Sequence, residues 1–214
     1  MSGIIAQNTL DSSGLIKAQA GGGAWNFIKK LTASASSDLS FVDGTSDVVL
    51  DSTYKEYIFT FNNIHSDRTF DVAYSLDFQF NMSIDSGSNY NVTKTTTMFR
   101  SQHSEAGGDA SLAYQTDKDL AQSTAFQALG LYVGTESDNS SSGYLHLFNP
   151  SSDVFVKHFI CTLNSVYSNN FNREYFIAGY GNTTSAVDAV QFKFTADEID
   201  AGDICLYGLT TWQV

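Results

Sequence analysis

With only two cysteines in 214 residues, Cys161 and Cys205, the chain has no disulfide framework to hold its fold together. Both lie in apolar alternating runs, where a small buried thiol packs well. A bond between them would require neighbouring strands with facing Cβ atoms. Positive charge is equally scarce. The 11 Lys and Arg stand against 23 Asp and Glu, a formal net charge of -12, and no basic cluster offsets it. That excludes a surface that tracks nucleic-acid phosphates and disfavours binding to anionic membranes. The acidity serves solubility or, through surface carboxylates, ion binding. No apolar run approaches about 20 residues, and no basic segment precedes an apolar one at the start. The reading is therefore no membrane insertion and synthesis in a cytoplasm. The sequons at Asn81, Asn91, Asn139 and Asn182 are then chance products of an Asn- and Ser-rich composition.

The signatures of chemistry are missing too. There is no Gly-x-Ser-x-Gly elbow to expose a nucleophile, no Walker loop and no dinucleotide fingerprint. His65, His103, His146 and His158 are scattered without metal-motif spacing; only His146 and His158, on strands that could be adjacent, suggest a two-histidine site. Asp71 and Asp77 share a strand face but stand roughly 20 Å apart along it, too far to act together on a glycoside. The acidic turn from Asp197 to Asp203 could offer oxygens to Ca²⁺, yet lacks EF-hand spacing and reads first as a solvated turn before the last strand. The sequence thus nominates no catalytic residue, no metal set and no cofactor, and the expectation is a protein that is not an enzyme.

What is present is aromatic. Sixteen Phe and 11 Tyr provide a large core, since burying one Phe-sized side chain contributes roughly 1.5–3 kcal/mol. Residues 1–24 differ: they are Gly- and Ser-rich, too poor in large apolar groups for a core of their own, and end in Gly21-Gly22-Gly23, which reads as a hinge. This segment is either a loose terminus or an arm whose Ile4, Ile5, Leu15 and Ile16 dock onto a partner subunit. Residues 25–214 read as a single domain.

From Trp25 the apolar period is two. The clearest run is Phe70–Met82, where Phe70, Val72, Tyr74, Leu76, Phe78, Phe80 and Met82 alternate with smaller or polar residues, as in a half-buried antiparallel strand. Strands are also expected at Trp25–Thr32, Tyr54–Asn62, Tyr144–Asn149, Phe155–Asn164, Glu174–Tyr180, Val190–Ala196 and Ile204–Leu209, separated by turn-formers such as Asp43-Gly44 and Asn149-Pro150. Asp117–Ala128 is either a short helix or an irregular crossover. Many short strands at this spacing predict an all-β fold, an antiparallel β-sandwich of jelly-roll type with an extended N-terminal arm. Polar loops at Asp85–Tyr90, Thr135–Ser142 and Tyr167–Asn172 hold the recognition candidates Asn89, Tyr90, Asn139, Tyr167, Asn169 and Asn170. Tyr supplies rigid contact area and Asn adaptable hydrogen bonds. The same residues are also ordinary turn chemistry.

The order of these features, from Phe27-Ile28-Lys29-Lys30-Leu31-Thr32 through Leu39-Ser40-Phe41-Val42-Asp43-Gly44 and Phe61-Asn62-Asn63-Ile64-His65 to Ile204-Cys205-Leu206-Tyr207-Gly208-Leu209, resembles the structural and tail-fibre-like virion proteins of bacteriophages that infect aquatic bacteria, cyanophages included. The resemblance spans most of residues 25–209 and rests on strand and turn signatures. It implies a virion surface protein made in the host cytoplasm, partnered by other virion structural proteins, assembled as a homo-oligomer such as a trimer, and contacting a host surface glycan or protein. A capsid decoration protein gripped by the arm is the alternative, and a polysaccharide-degrading enzyme a distant third.

Overall fold

Strand periodicity governs the chain throughout. The computed structural model describes residues 25–66, 76–134, 136–167 and 170–209, and these form twelve β-strands and no helix. The strands are β1 (Trp25–Thr32), β2 (Leu39–Val42), β3 (Glu56–His65), β4 (Phe78–Ser83), β5 (Lys94–Ser104), β6 (Ala110–Tyr114), β7 (Gln127–Gly130), β8 (Ser141–Phe148), β9 (Lys157–Tyr167), β10 (Phe171–Gly181), β11 (Ala189–Phe194) and β12 (Ala201–Leu209). The N-terminal segment with Ile4, Ile5, Leu15 and Ile16, and the Phe70–Tyr74 part of the run expected to start at Phe70, lie outside the described residues.

Two antiparallel sheets pack as a sandwich. The larger has the order β1-β12-β3-β8-β9-β10-β5-β6, the smaller β2-β11-β4-β7. The chain crosses between the sheets eight times, at β1–β2, β2–β3, β3–β4, β4–β5, β6–β7, β7–β8, β10–β11 and β11–β12. Two hairpins, β5–β6 and β9–β10, instead remain in the larger sheet and widen it from four strands to eight.

Aromatic rings from both sheets fill the gap between them. Phe192 of β11 is central, with ring centroids 5.3 Å from Phe59, 5.2 Å from Phe61 and 6.1 Å from Phe78. Phe78 also meets Phe61 at 5.3 Å and Phe194 at 5.6 Å. These edge-on and offset distances add about 0.5–1.5 kcal/mol per pair to the burial itself.

Two open alternatives are resolved and one expectation changes. Asp117–Ala128 is the irregular crossover: its backbone pairs with β5 through Lys94 N to Ser123 O at 2.8 Å and Ser123 N to Lys94 O at 3.0 Å, then continues into β7. β4 is not half-buried, because Asn81 on its supposed polar side is fully buried, and Asp77 just before it is 2% exposed. Asp77 accepts from Lys118 Nζ at 2.8 Å and from the Tyr132 amide at 3.2 Å, while Asn81 donates to the carbonyls of Tyr90 and Thr124. Finally, Cys161 and Cys205 are free thiols. Two strands, β3 and β8, separate β12 from β9, a gap of roughly 14 Å that no disulfide spans.

Candidate functional site

The two added hairpins carry the features that the core does not need. On the outer face of the larger sheet, register places Phe99, Phe176, Thr162, Tyr144 and Thr60 in one row across β5, β10, β9, β8 and β3. The next row is Thr97, Ala178, Ile160, His146 and Ile58. Side chains two apart on a strand share a face, which is why alternate residues of five strands meet here. Neither row contains an Asp, Glu, Lys or Arg, in a chain whose charge is -12.

Ile160 stands 48% exposed between two shallow hollows. The larger, about 470 Å³, is lined by Thr95, Thr97, Phe148, His158, Ala178 and Tyr180 along with Ile160 itself. The smaller, about 190 Å³, lies toward Phe99, Phe176 and Thr162. Their floor is low because Ala178 and Gly179 bring little side chain to the middle of β10, whereas the stacked rings of Phe99 and Phe176, 4.8 Å apart, rise beside it. Gly179 could not be larger, as a Cβ there would stand 2.7 Å from the Thr95 carbonyl oxygen.

His146 and His158 do come onto adjacent strands and the same face, but each is committed elsewhere. His146 stacks on Phe148 at 4.0 Å and has its Nε2 2.9 Å from Glu56 Oε2, at an angle that makes an ion-pair contact and not a hydrogen bond. His158 leans on Tyr180 at 6.0 Å. Among the described residues no three His, Cys, Asp or Glu side chains converge. In the acidic turn, Asp203 accepts from Thr32 Oγ1 at 2.5 Å and from Lys30 Nζ at 3.4 Å, and its carboxyl titrates below the usual range because of the Thr32 hydrogen bond first and Lys30 after it.

The loop candidates fare unequally. Asn89 is tied to Asp85, donating from its amide at 2.9 Å and its side chain at 2.7 Å, bonds that close the turn and lower the Asp85 pKa. Tyr90 is half-buried beneath that turn, where burial raises its pKa. Asn139 is 5% exposed, and its carbonyl faces His65 Nδ1 at 2.8 Å, so it belongs to the interior and not to a recognition loop. Asn170 is exposed at φ 57° in the β9–β10 turn, and Asn169 lies outside the described residues. Tyr167 sits at the same end of the sheet, its ring 5.8 Å from Tyr132 and covered by the Arg173 guanidinium at 3.4 Å.

Sequence reasoning missed Ile160, Phe176, Phe99 and the arginines near Tyr167. Only strand phase marks the first three: on β9, Ile160 shares the outward phase of His158, Thr162 and Asn164, and register sets Phe176 and Phe99 on the same side. Comparison of the chain with protein-family models, with curated proteins and with solved structures finds no match to any of them.

Proposed function

We propose that this chain is a non-enzymatic surface protein of a bacteriophage virion, associated with the tail or its fibres, and that it packs against a second copy of itself through the outer face of its larger sheet. The observation that carries the reading is the pair of charge-free rows with Ile160 raised between two hollows. Such a face suits a broad macromolecular contact better than the enclosure of a small substrate.

A second copy fits for three reasons. A protruding side chain beside hollows on one surface is self-complementary under a two-fold axis. Two chains that each carry twelve net negative charges can approach more closely along rows that hold no carboxylate, the flanking Glu56 being paired with His146. With Tyr114 of β6 beside Phe99, the first row crosses six strands, roughly 24 Å, and with the hollows alongside it this is a broad surface of the kind that forms the middle of an interface.

The virion assignment draws its support from the resemblance above and from strand order. Consecutive strands alternating between β1-β12-β3-β8 and β2-β11-β4-β7 follow the pattern of a jelly roll, an architecture that recurs in viral capsid and lectin domains. That support is analogy at the level of fold.

The test is the molar mass of the purified chain by light scattering, for the natural sequence and for Ile160→Lys. The natural chain is expected at twice 23.3 kDa or a higher multiple, and I160K at the monomer mass with its circular dichroism unchanged, since the new charge points to solvent. A natural chain that stays monomeric at high concentration contradicts self-association through this face. Loss of I160K from assembled particles in that case would leave the virion role standing, with another protein on the face.

A further inference from the structure

Away from that face, on the inner side of the added strands, two arginines are held side by side. Arg173 of β10 pairs in register with Gln102 of β5, and Arg100 is two residues from Gln102 on the same side. Gln102 Oε1 accepts from Arg173 Nε at 3.0 Å and also from Arg100 Nη1. Arg173 is only 9% exposed and lies flat on the Tyr167 ring, whereas Arg100 is half-buried. Among the described residues neither guanidinium meets a carboxylate.

That is an unusual economy in a chain with twice as many acids as bases. Each guanidinium has five N–H donors in a fixed fork; each spends one on the same neutral oxygen, and Arg173 has a second neutral partner in the Tyr175 hydroxyl. Burial and the neighbouring charge of Arg173 both act against the charged form of Arg100. Two fixed forks with only neutral partners fit an oxyanion, which would take their remaining hydrogen bonds and relieve the like-charge contact at once.

We infer that Arg100 and Arg173, positioned by Gln102 and Tyr167, form a binding site for a single oxyanion group, a carboxylate or a sulfate. The site is independent of the proposed self-association, since it lies on the opposite side of the sheet from Ile160. It supplies a reason for the Tyr167–Asn172 turn to be close by: the turn joins the two strands that bring Tyr167 and Arg173 together.

The experiment is thermal melting of the full chain in sodium sulfate and in sodium glucuronate, each against sodium chloride at matched ionic strength, for the natural sequence, Arg100→Gln and Arg100→Lys. Sulfate stabilises most proteins through exclusion from their surface, so the readout is the difference between natural chain and variant. At ten times the dissociation constant the natural chain should gain roughly 3–5 °C more than R100Q. R100K, which keeps the charge without the fork, should lose most of that gain. In chloride alone R100Q should melt no lower than the natural chain. A shift with glucuronate alone assigns the site to acidic sugars, and a shift with both to the shared oxyanion. Equal shifts in natural chain and variants, or none, would overturn the inference.

Discussion

Phe78→Asp is expected to abolish folding. Phe78 is fully buried and stacks on Phe192 while meeting Phe61 edge-on and Phe194 at a tilt, so both sheets lose a partner when it is removed. Truncating a core Phe costs about 3–5 kcal/mol, and burying an unpaired carboxylate adds several more or forces it to protonate. A domain with roughly 5–15 kcal/mol of net stability does not survive that sum. Circular dichroism and a melting curve decide the matter: loss of the β signal and of any cooperative transition is the expected result. A soluble variant melting cooperatively would mean that Phe78 does not face the other sheet.

The second large effect is one of pH. Lys94 is fully buried at the start of β5, its Nζ donating to Asn81 Oδ1 at 2.5 Å and to the Val92 carbonyl at 2.9 Å. Burial lowers its pKa to about 7, well below the ordinary value near 10.4. Between these two values the unfolded chain binds a proton that the folded chain does not. Stability therefore rises with pH across this window, at about 1.4 kcal/mol per unit, and the penalty is present in full below pH 7. Lys157, whose pKa is also lowered by burial, acts with the same sign. Cys161 and Tyr57, raised by burial, act in the opposite sense once their unfolded forms begin to ionise, so the clean interval is roughly pH 7 to 8.5. Lys94→Met should remove most of the slope and gain roughly 1–3 kcal/mol at pH 7. Asn81 Oδ1 keeps the Met82 amide at 2.8 Å as its donor, which limits the loss to the Val92 carbonyl. Denaturant titrations of both chains across that interval check the slope and its loss; a flat profile in the natural chain would put Lys94 in contact with water.

The sandwich was legible where alternation and burial agree. Phe78, Phe80 and Met82 fall on the core face as their spacing demands, and β1 begins and ends where Trp25–Thr32 predicts. β5 was not legible, for a physical reason: its inward residues include Lys94, Thr96 and Arg100 beside Met98, and its outward ones Thr97 and Phe99, so the two faces show little contrast in polarity. Lys94 is tolerated inside because Asn81 and a carbonyl receive it, an arrangement made by β4 that no local pattern reveals. β6 and β7, at five and four residues, are too short to establish a period. The candidate face was hidden similarly. Ile160 and Phe176 read as core when taken alone, and only the register of β9 and β10 with β5 turns them outward together. The loops drew attention for their Asn and Tyr content, yet Asn89 and Asn139 are held by the turn and the interior.

Both proposed sites centre on β5, β9 and β10, the strands added to a frame of four plus four, whose inward residues Met98, Phe159, Leu163, Tyr175 and Ile177 also join the core. Substitutions at Ile160 and Arg100 should accordingly change association and anion response with little effect on the aromatic core around Phe192.

Immunogold labelling of intact virions, with an antibody against residues 25–214, tests the central claim most directly. Label on the tail or its fibres is the predicted result. Label spread over the head would make the chain a capsid decoration protein and contradict its placement on the tail, and particles that bind no antibody would contradict a virion surface role altogether.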